Sequence, residues 1–213
     1  MAESRESLGA LQVECGRLRR RWIEAAVRDL PRSRLMALAQ VLGLPASDEL
    51  TQVPEGDLAF LLDLAAFEAR PGRARPIDRL GRQRRPTGLA GLTLRALECG
   101  WCSVFRLLEP HPEAGQVAAD MLLGGEVWIL DPLLDALVAE GTELVVGRLG
   151  RVHGFAISSG ALGPLDPVML AQIVQVLTDS GLNAGELTED QRFAALLYRG
   201  SLGLMEVDAT DHS

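Results

Sequence analysis

The chain has 213 residues, 47% apolar and 23% charged, enough for one large domain or two small ones, each with a packed core. Its net charge is −8, and all 21 of its basic residues are Arg, a bias expected of GC-rich coding. With no Lys present, a phosphate-gripping P-loop lysine, a pyridoxal Schiff base and a lysine general base are excluded.

In residues 7–30 the apolar positions Leu8, Leu11, Cys15, Leu18, Trp22 and Ala25 recur at spacings of three and four. That rhythm predicts a helix with one apolar stripe, and Arg17, Arg19, Arg20, Arg21 and Glu24 fall largely on its other faces. Pro31 ends it. Ser33 is placed to cap a short helix over residues 34–42, closed by Gly43. A third helix is expected from near Pro54, with Glu55 and Asp57 in its first turn. It continues through Leu58, Phe60, Leu61, Leu64 and Phe67 to the Arg70-Pro71-Gly72 stop. Residues 1–69 therefore read as a helical part.

Residues 70–86, RPGRARPIDRLGRQRRP, carry seven Arg, three Pro and two Gly against the single acid Asp78. Prolines at 71, 76 and 86 discourage helix, so residues 70–87 are expected to form an arm or linker and the domain boundary.

A short helix over residues 87–99, closed by Gly100, opens an α+β part covering 88–204. The apolar period then changes from 3.6 to 2. Five strands are predicted at 101–109, 116–123, 126–131, 143–149 and 154–158. Turn signals at Pro110-His111-Pro112, Gly124-Gly125, Asp131-Pro132 and Gly141 separate them. Strands this short with tight connections predict an antiparallel meander or small barrel of SH3-like or OB-like size. Asp166-Pro167 is a helix start, leading through Leu170, Ile173, Val174 and Leu177 to Gly181. A last helix is expected from Thr188 to Tyr198, and residues 205–213 read as a flexible tail. The fold class is α+β: an N-terminal helical part, then a small antiparallel sheet flanked by helices.

Charge is split along the chain. Residues 1–95 carry 16 Arg and 12 acids, whereas residues 96–213 carry 5 Arg and 17 acids. Two faces with different partners would produce this, and so, more economically, would an internal contact between the halves. No apolar run approaches the ~20 residues that cross a bilayer. Glu3 and Glu6 interrupt any signal-like start, and three cysteines make no disulfide framework. These features predict a cytoplasmic protein with no membrane association.

Cys99-Gly100-Trp101-Cys102 is a CxxC, yet it joins the end of a helix to the start of a strand. A redox CxxC uses the free N–H groups of a helix N-terminus instead. A structural zinc needs four ligands, and His111 and His153 stand apart, so Cys99 and Cys102 are weak metal candidates and no metal or cofactor is expected. Both histidines read as turn residues. Ser158-Ser159-Gly160 lacks a nucleophile-elbow frame, and Gly88-Leu89-Ala90-Gly91 is too apolar and short for a dinucleotide loop. Asp120, Glu126 and Asp131 could meet near one hairpin, but charges on the polar face of strands are the default. No catalytic motif is recognisable.

The binding candidates are Arg70, Arg73, Arg75, Arg79, Arg82, Arg84 and Arg85. Their local excess of charge would engage several phosphates, with affinity falling steeply in salt. The segment has no aromatic residue for base stacking, so it fits equally an arm lying along the acidic C-terminal half or docked on an acidic partner.

The stretch Phe105-Arg106, His111-Pro112-Glu113-Ala114-Gly115, Asp120-Met121-Leu122, Gly125-Glu126-Val127-Trp128, Asp131 and Arg148-Leu149 resembles a pattern in uncharacterised proteins of GC-rich proteobacteria. Ile77-Asp78-Arg79 resembles part of the same pattern. The resemblance implies a bacterial origin and a β-rich middle, and carries no activity with it. The function expected is a non-catalytic protein-interaction or scaffold protein, with a protein partner or a homodimer formed through the stripe of the N-terminal helix. A nucleic-acid-binding accessory protein using the Arg-rich arm is the alternative. An enzyme built on the CxxC or the strand carboxylates comes third.

Overall fold

A computed structural model of the chain describes residues 2–45, 53–181 and 183–204. The first helix, α1 (Ala2–Val27), turns the predicted stripe inward: Cys15, Leu18 and Trp22 are buried, joined by Ile23, Ala26 and Val27. The stripe lies against the chain's own core. Leu8, Leu11 and Ala25, the rest of the stripe, are half-buried. Helix α2 (Arg32–Leu42) starts directly after Pro31, which occupies the N-cap position in place of Ser33, and ends at Gly43 with φ 80°. Only a residue at ease with positive φ closes a helix this way. Helix α3 (Glu55–Ala66) carries Glu55 and Asp57 in its first turn, as expected from the dipole.

Residues 70–87 are not an extended arm. Pro71-Gly72 makes a tight turn, with Arg73 N–H donating to the Arg70 carbonyl at 3.0 Å. Helix α4 (Pro76–Arg84) follows. Pro76 begins α4, at the position where a missing N–H costs nothing, and Asp78 sits in the first turn with Arg82 and Arg84 in the last. Ile77 and Leu80 give α4 a buried side. The prolines bracket a helix where they were expected to prevent one. Helix α5 (Gly88–Glu98) follows.

Five strands, β1 (Trp101–Pro110), β2 (Gln116–Asp120), β3 (Glu126–Ile129), β4 (Leu144–Val152) and β5 (Phe155–Pro164), form one sheet. Its pairings run β1-β2-β3-β5-β4 and close back onto β1. All are antiparallel except β3–β5, which run parallel through Ile129 and Ala156, so the sheet is mixed rather than antiparallel throughout. An unforeseen helix, α6 (Pro132–Ala139), causes this. Asp131-Pro132 starts a helix instead of a turn, with the Asp131 side chain accepting from Leu133 N–H at 3.0 Å. After α6 the chain re-enters the sheet beside β1, and β5 returns alongside β3 to close the ring.

Alternation along β1 divides its side chains between two cores. Phe105 joins Ala118, Val127, Ile129, Val145 and Leu149 inside the sheet, with Leu134 of α6 packed among them. Cys102 and Val104 face the helices, in the same cluster as Trp22, Leu61, Ile77 and Leu94. The helices thus share a hydrophobic core with one face of the sheet, distinct from the core inside it.

Helix α7 (Pro167–Ser180) is capped by Asp166, whose side chain accepts from Val168 N–H at 2.7 Å. The last predicted helix is two: α8 (Ala184–Glu189), opened by an Asn183–Glu186 capping box, and α9 (Gln191–Ser201), capped by Asp190. Thr188 therefore lies near the end of α8. The expected tail, 205–213, is outside the described residues. Among the described residues no helix is long and apolar enough to cross a membrane.

Candidate functional site

The two thiols of the CxxC face different surroundings. Cys99 is exposed at the end of α5, whereas Cys102 is buried in β1, where burial pushes its pKa up to about 12. Of the strand carboxylates, Asp120 and Glu126 line one cavity and Asp131 lies apart. Asp120 is buried and accepts hydrogen bonds from Trp101 Nε1 (2.8 Å), Ser103 Oγ (2.6 Å) and the N–H groups of Leu122 and Leu123 (3.0 Å each). Glu126 is exposed and shares with Asp120 a small cavity of about 130 Å³, where Arg151 lies 5.3 Å from the Trp101 ring centroid. Asp131 is fully buried elsewhere. It accepts from Arg19 Nη1, from Ser158 Oγ at 2.6 Å and from Ser158 N–H at 3.1 Å, tying α1 to β5. The three carboxylates do not converge.

His111 stacks on Trp128 with ring centroids 3.9 Å apart, and His153 occupies the β4–β5 hairpin turn at φ 53°. Ser158 is buried in its bonds to Asp131 and Arg19. Among the described residues no cluster of three His, Cys, Asp or Glu side chains could hold a metal ion.

A second buried network escaped the reading of motifs. Arg148 of β4 donates through Nε to both carboxylate oxygens of Asp63 in α3, at 3.3 and 3.2 Å, and its guanidinium lies 4.1 Å from the Phe67 ring centroid. Burial, the largest single influence, would lower the pKa of Arg148; Asp63, Tyr198 and Cys102 together outweigh it and hold that pKa above its usual value. A signal was present in the sequence: Asp63 and Arg148 are lone opposite charges inside otherwise apolar windows, LLDLAAF and LVVGRLG. Burying one such charge demands the other.

The seven arginines of the basic segment split by role. Arg75 is structural. It grips Asp78 through Nε (2.9 Å) and Nη2 (2.8 Å) and donates to the Glu98 carbonyl at 2.6 Å. Arg70 pairs with buried Glu68 at 3.0 Å, and Arg34 of α2 grips the same carboxylate. Arg82, Arg84 and Arg85 are exposed around the end of α4. Arg73 and Arg79, both exposed, make no side-chain hydrogen bond or ion pair among the described residues. Among the described residues the two ion pairs of this segment are thus local, to Glu68 and Asp78, and its contact with the acidic C-terminal half is at Glu98.

Arg70, Arg73 and Arg79 meet at a groove of about 360 Å³ between the end of α1, residues 68–74 and α4. Ala25, Ala26, Leu30, Ala74, Pro76 and Leu80 supply its apolar lining. Asp29 and Glu68 are its carboxylates, Glu68 already held between two guanidiniums. No protein-family model, curated protein or solved structure matches the chain.

Proposed function

We propose that this chain is a non-catalytic interaction or scaffold protein of the bacterial cytoplasm, whose contact surface is the arginine-rimmed groove between α1 and α4. The observation that carries the reading is the state of Arg73 and Arg79. Every other arginine contacting the groove or its floor is held by a carboxylate of the chain, and among the described residues these two have no such partner at its rim. Exposed guanidiniums beside apolar walls favour recognition of a partner's carboxylates, because the fork geometry gives paired hydrogen bonds and the walls remove competing water.

A second reading, a nucleic-acid-binding accessory protein, rests on the cluster of exposed Arg82, Arg84 and Arg85 at the end of α4. Phosphates would find charge there, but among the described residues no aromatic side chain lines the neighbouring groove for bases to stack on.

Affinity purification of the tagged chain from bacterial lysate at two salt concentrations separates the readings. A stoichiometric polypeptide retained by the wild type and lost from the Arg73→Gln/Arg79→Gln variant is the expected result. Co-purifying nucleic acid lost at higher salt and in an Arg82→Gln/Arg84→Gln/Arg85→Gln variant would replace it with the second reading. A chain recovered alone at both salts would count against both.

A further inference from the structure

Resting on that reading, we infer that the groove takes a short acidic stretch of a partner polypeptide in extended form. Charge comes first. Glu68, the buried acid of the floor, is bracketed by Arg34 and Arg70, two cations to one anion, so the floor is not negative despite its carboxylate. Arg73 and Arg79 add two charges with no ion-pair partner among the described residues, against the single exposed acid Asp29. A ligand with spaced carboxylates completes this set.

Backbone geometry comes second. Arg70 and Arg73 pair as an isolated antiparallel bridge across the Pro71-Gly72 turn, and Gly72 supplies the positive φ of 71° that the turn needs. Partners in an antiparallel pair project to the same side, so the Arg73 side chain leaves the turn on the side where Glu68 holds Arg70. Glu68 acts on this pair as a positioning residue, anchoring Arg70 from below.

Shape comes third. The lining residues Ala25, Ala26, Ala74 and Pro76 are small and Leu30 and Leu80 aliphatic, a surface suited to a main chain and short side chains. Bases would find no ring to stack on among the described lining residues.

Fluorescence anisotropy of the full chain tests this with three labelled probes: a peptide of about eight residues alternating Glu and Ala, its Lys/Ala counterpart, and a single-stranded oligonucleotide of similar charge to the first. Saturable binding of the Glu/Ala peptide alone is expected, weakening between ~50 and ~200 mM salt. Arg73→Gln and Arg79→Gln should each reduce affinity about two- to fivefold, and Arg84→Gln/Arg85→Gln, outside the groove, by less than about twofold. Failure of the folded chain to saturate with the Glu/Ala peptide overturns the inference, as does equal weakening by the two variant sets. Tighter binding of the oligonucleotide, lost with Arg84 and Arg85, overturns it in favour of nucleic acid. If a native partner is captured equally by wild type and by Arg73→Gln/Arg79→Gln, the groove assignment fails while the interaction reading survives.

Discussion

Tyr198 in α9 donates its hydroxyl hydrogen to Asp63 Oδ2 at 2.7 Å, on the same carboxylate that Arg148 of β4 engages. One buried anion in α3 therefore binds a strand and the last helix at once. Burial, then the neighbouring Asp63 charge, raises the Tyr198 pKa well above its usual value, so the phenol stays a donor at neutral pH.

Removing Asp63 leaves the buried Arg148 without a counter-charge. Asp63→Ala is expected to destabilise the fold by about 3–5 kcal/mol, and Tyr198→Phe by about 1–3 kcal/mol. A double Asp63→Leu/Arg148→Met replacement, which removes both charges, should recover most of the loss. Urea unfolding at neutral pH measures all three, and a double variant no more stable than Asp63→Ala would disprove the pairing argument.

Thiol accessibility separates the cysteines. Burial raises the pKa of both Cys15 and Cys102, the latter to about 12, while Cys99 is exposed. An aromatic disulfide reagent at neutral pH should label Cys99 quickly and the other two only in denaturant. Fast modification of two thiols in the native protein would contradict the placement of Cys102.

Glycines report where backbones touch. A Cβ at Gly150 would collide with the Ala96 carbonyl of α5, so Gly150→Ala should separate α5 from β4 and cost about 1–3 kcal/mol. Nothing lies within 4 Å of a Cβ at Gly16, inside α1. Gly16→Ala should stabilise by about 0.5–1 kcal/mol through helix propensity and a less flexible unfolded chain. Thermal unfolding of the two variants should move in opposite directions.

Glu98 lies beside Gly81 where α4 meets α5, and its pKa is raised, first by burial and then by Asp78. A carboxyl whose folded pKa exceeds its unfolded pKa opposes folding once it ionises. That cost is present above the folded pKa and disappears as pH falls below the unfolded one. Glu98→Gln should therefore be more stable than the wild type at neutral pH, with the difference closing under acid. Parallel stability–pH curves for the two proteins would refute this origin of the effect.

The local rules in the sequence reached far. The rhythm of Leu18 and Trp22 marked the buried side of α1, Gly43 marked the end of α2, and the period-two run from Trp101 marked β1. They failed where one signal serves two structures. Asp166-Pro167 and Asp131-Pro132 are the same dipeptide, read as a helix start and as a turn, yet both start helices. In the basic segment, three prolines masked the burial of Ile77 and Leu80, because only a neighbouring core makes a nine-residue helix worthwhile.

The candidate site was half legible. Composition singled out the seven arginines, but not which of them were already held. Arg75 has a partner three residues away in Asp78, whereas Arg70 shares Glu68 with Arg34 from another helix. The sequence by itself determined the helix stripes, the caps and the strand period, since these follow from interactions between residues a few positions apart. Tertiary structure alone decided the parallel β3–β5 seam, the Asp63–Arg148 and Arg19–Asp131 pairs, and the groove left between α1 and α4. Each depends on bringing distant segments together, and burial then determines which charges must be paired and which remain exposed.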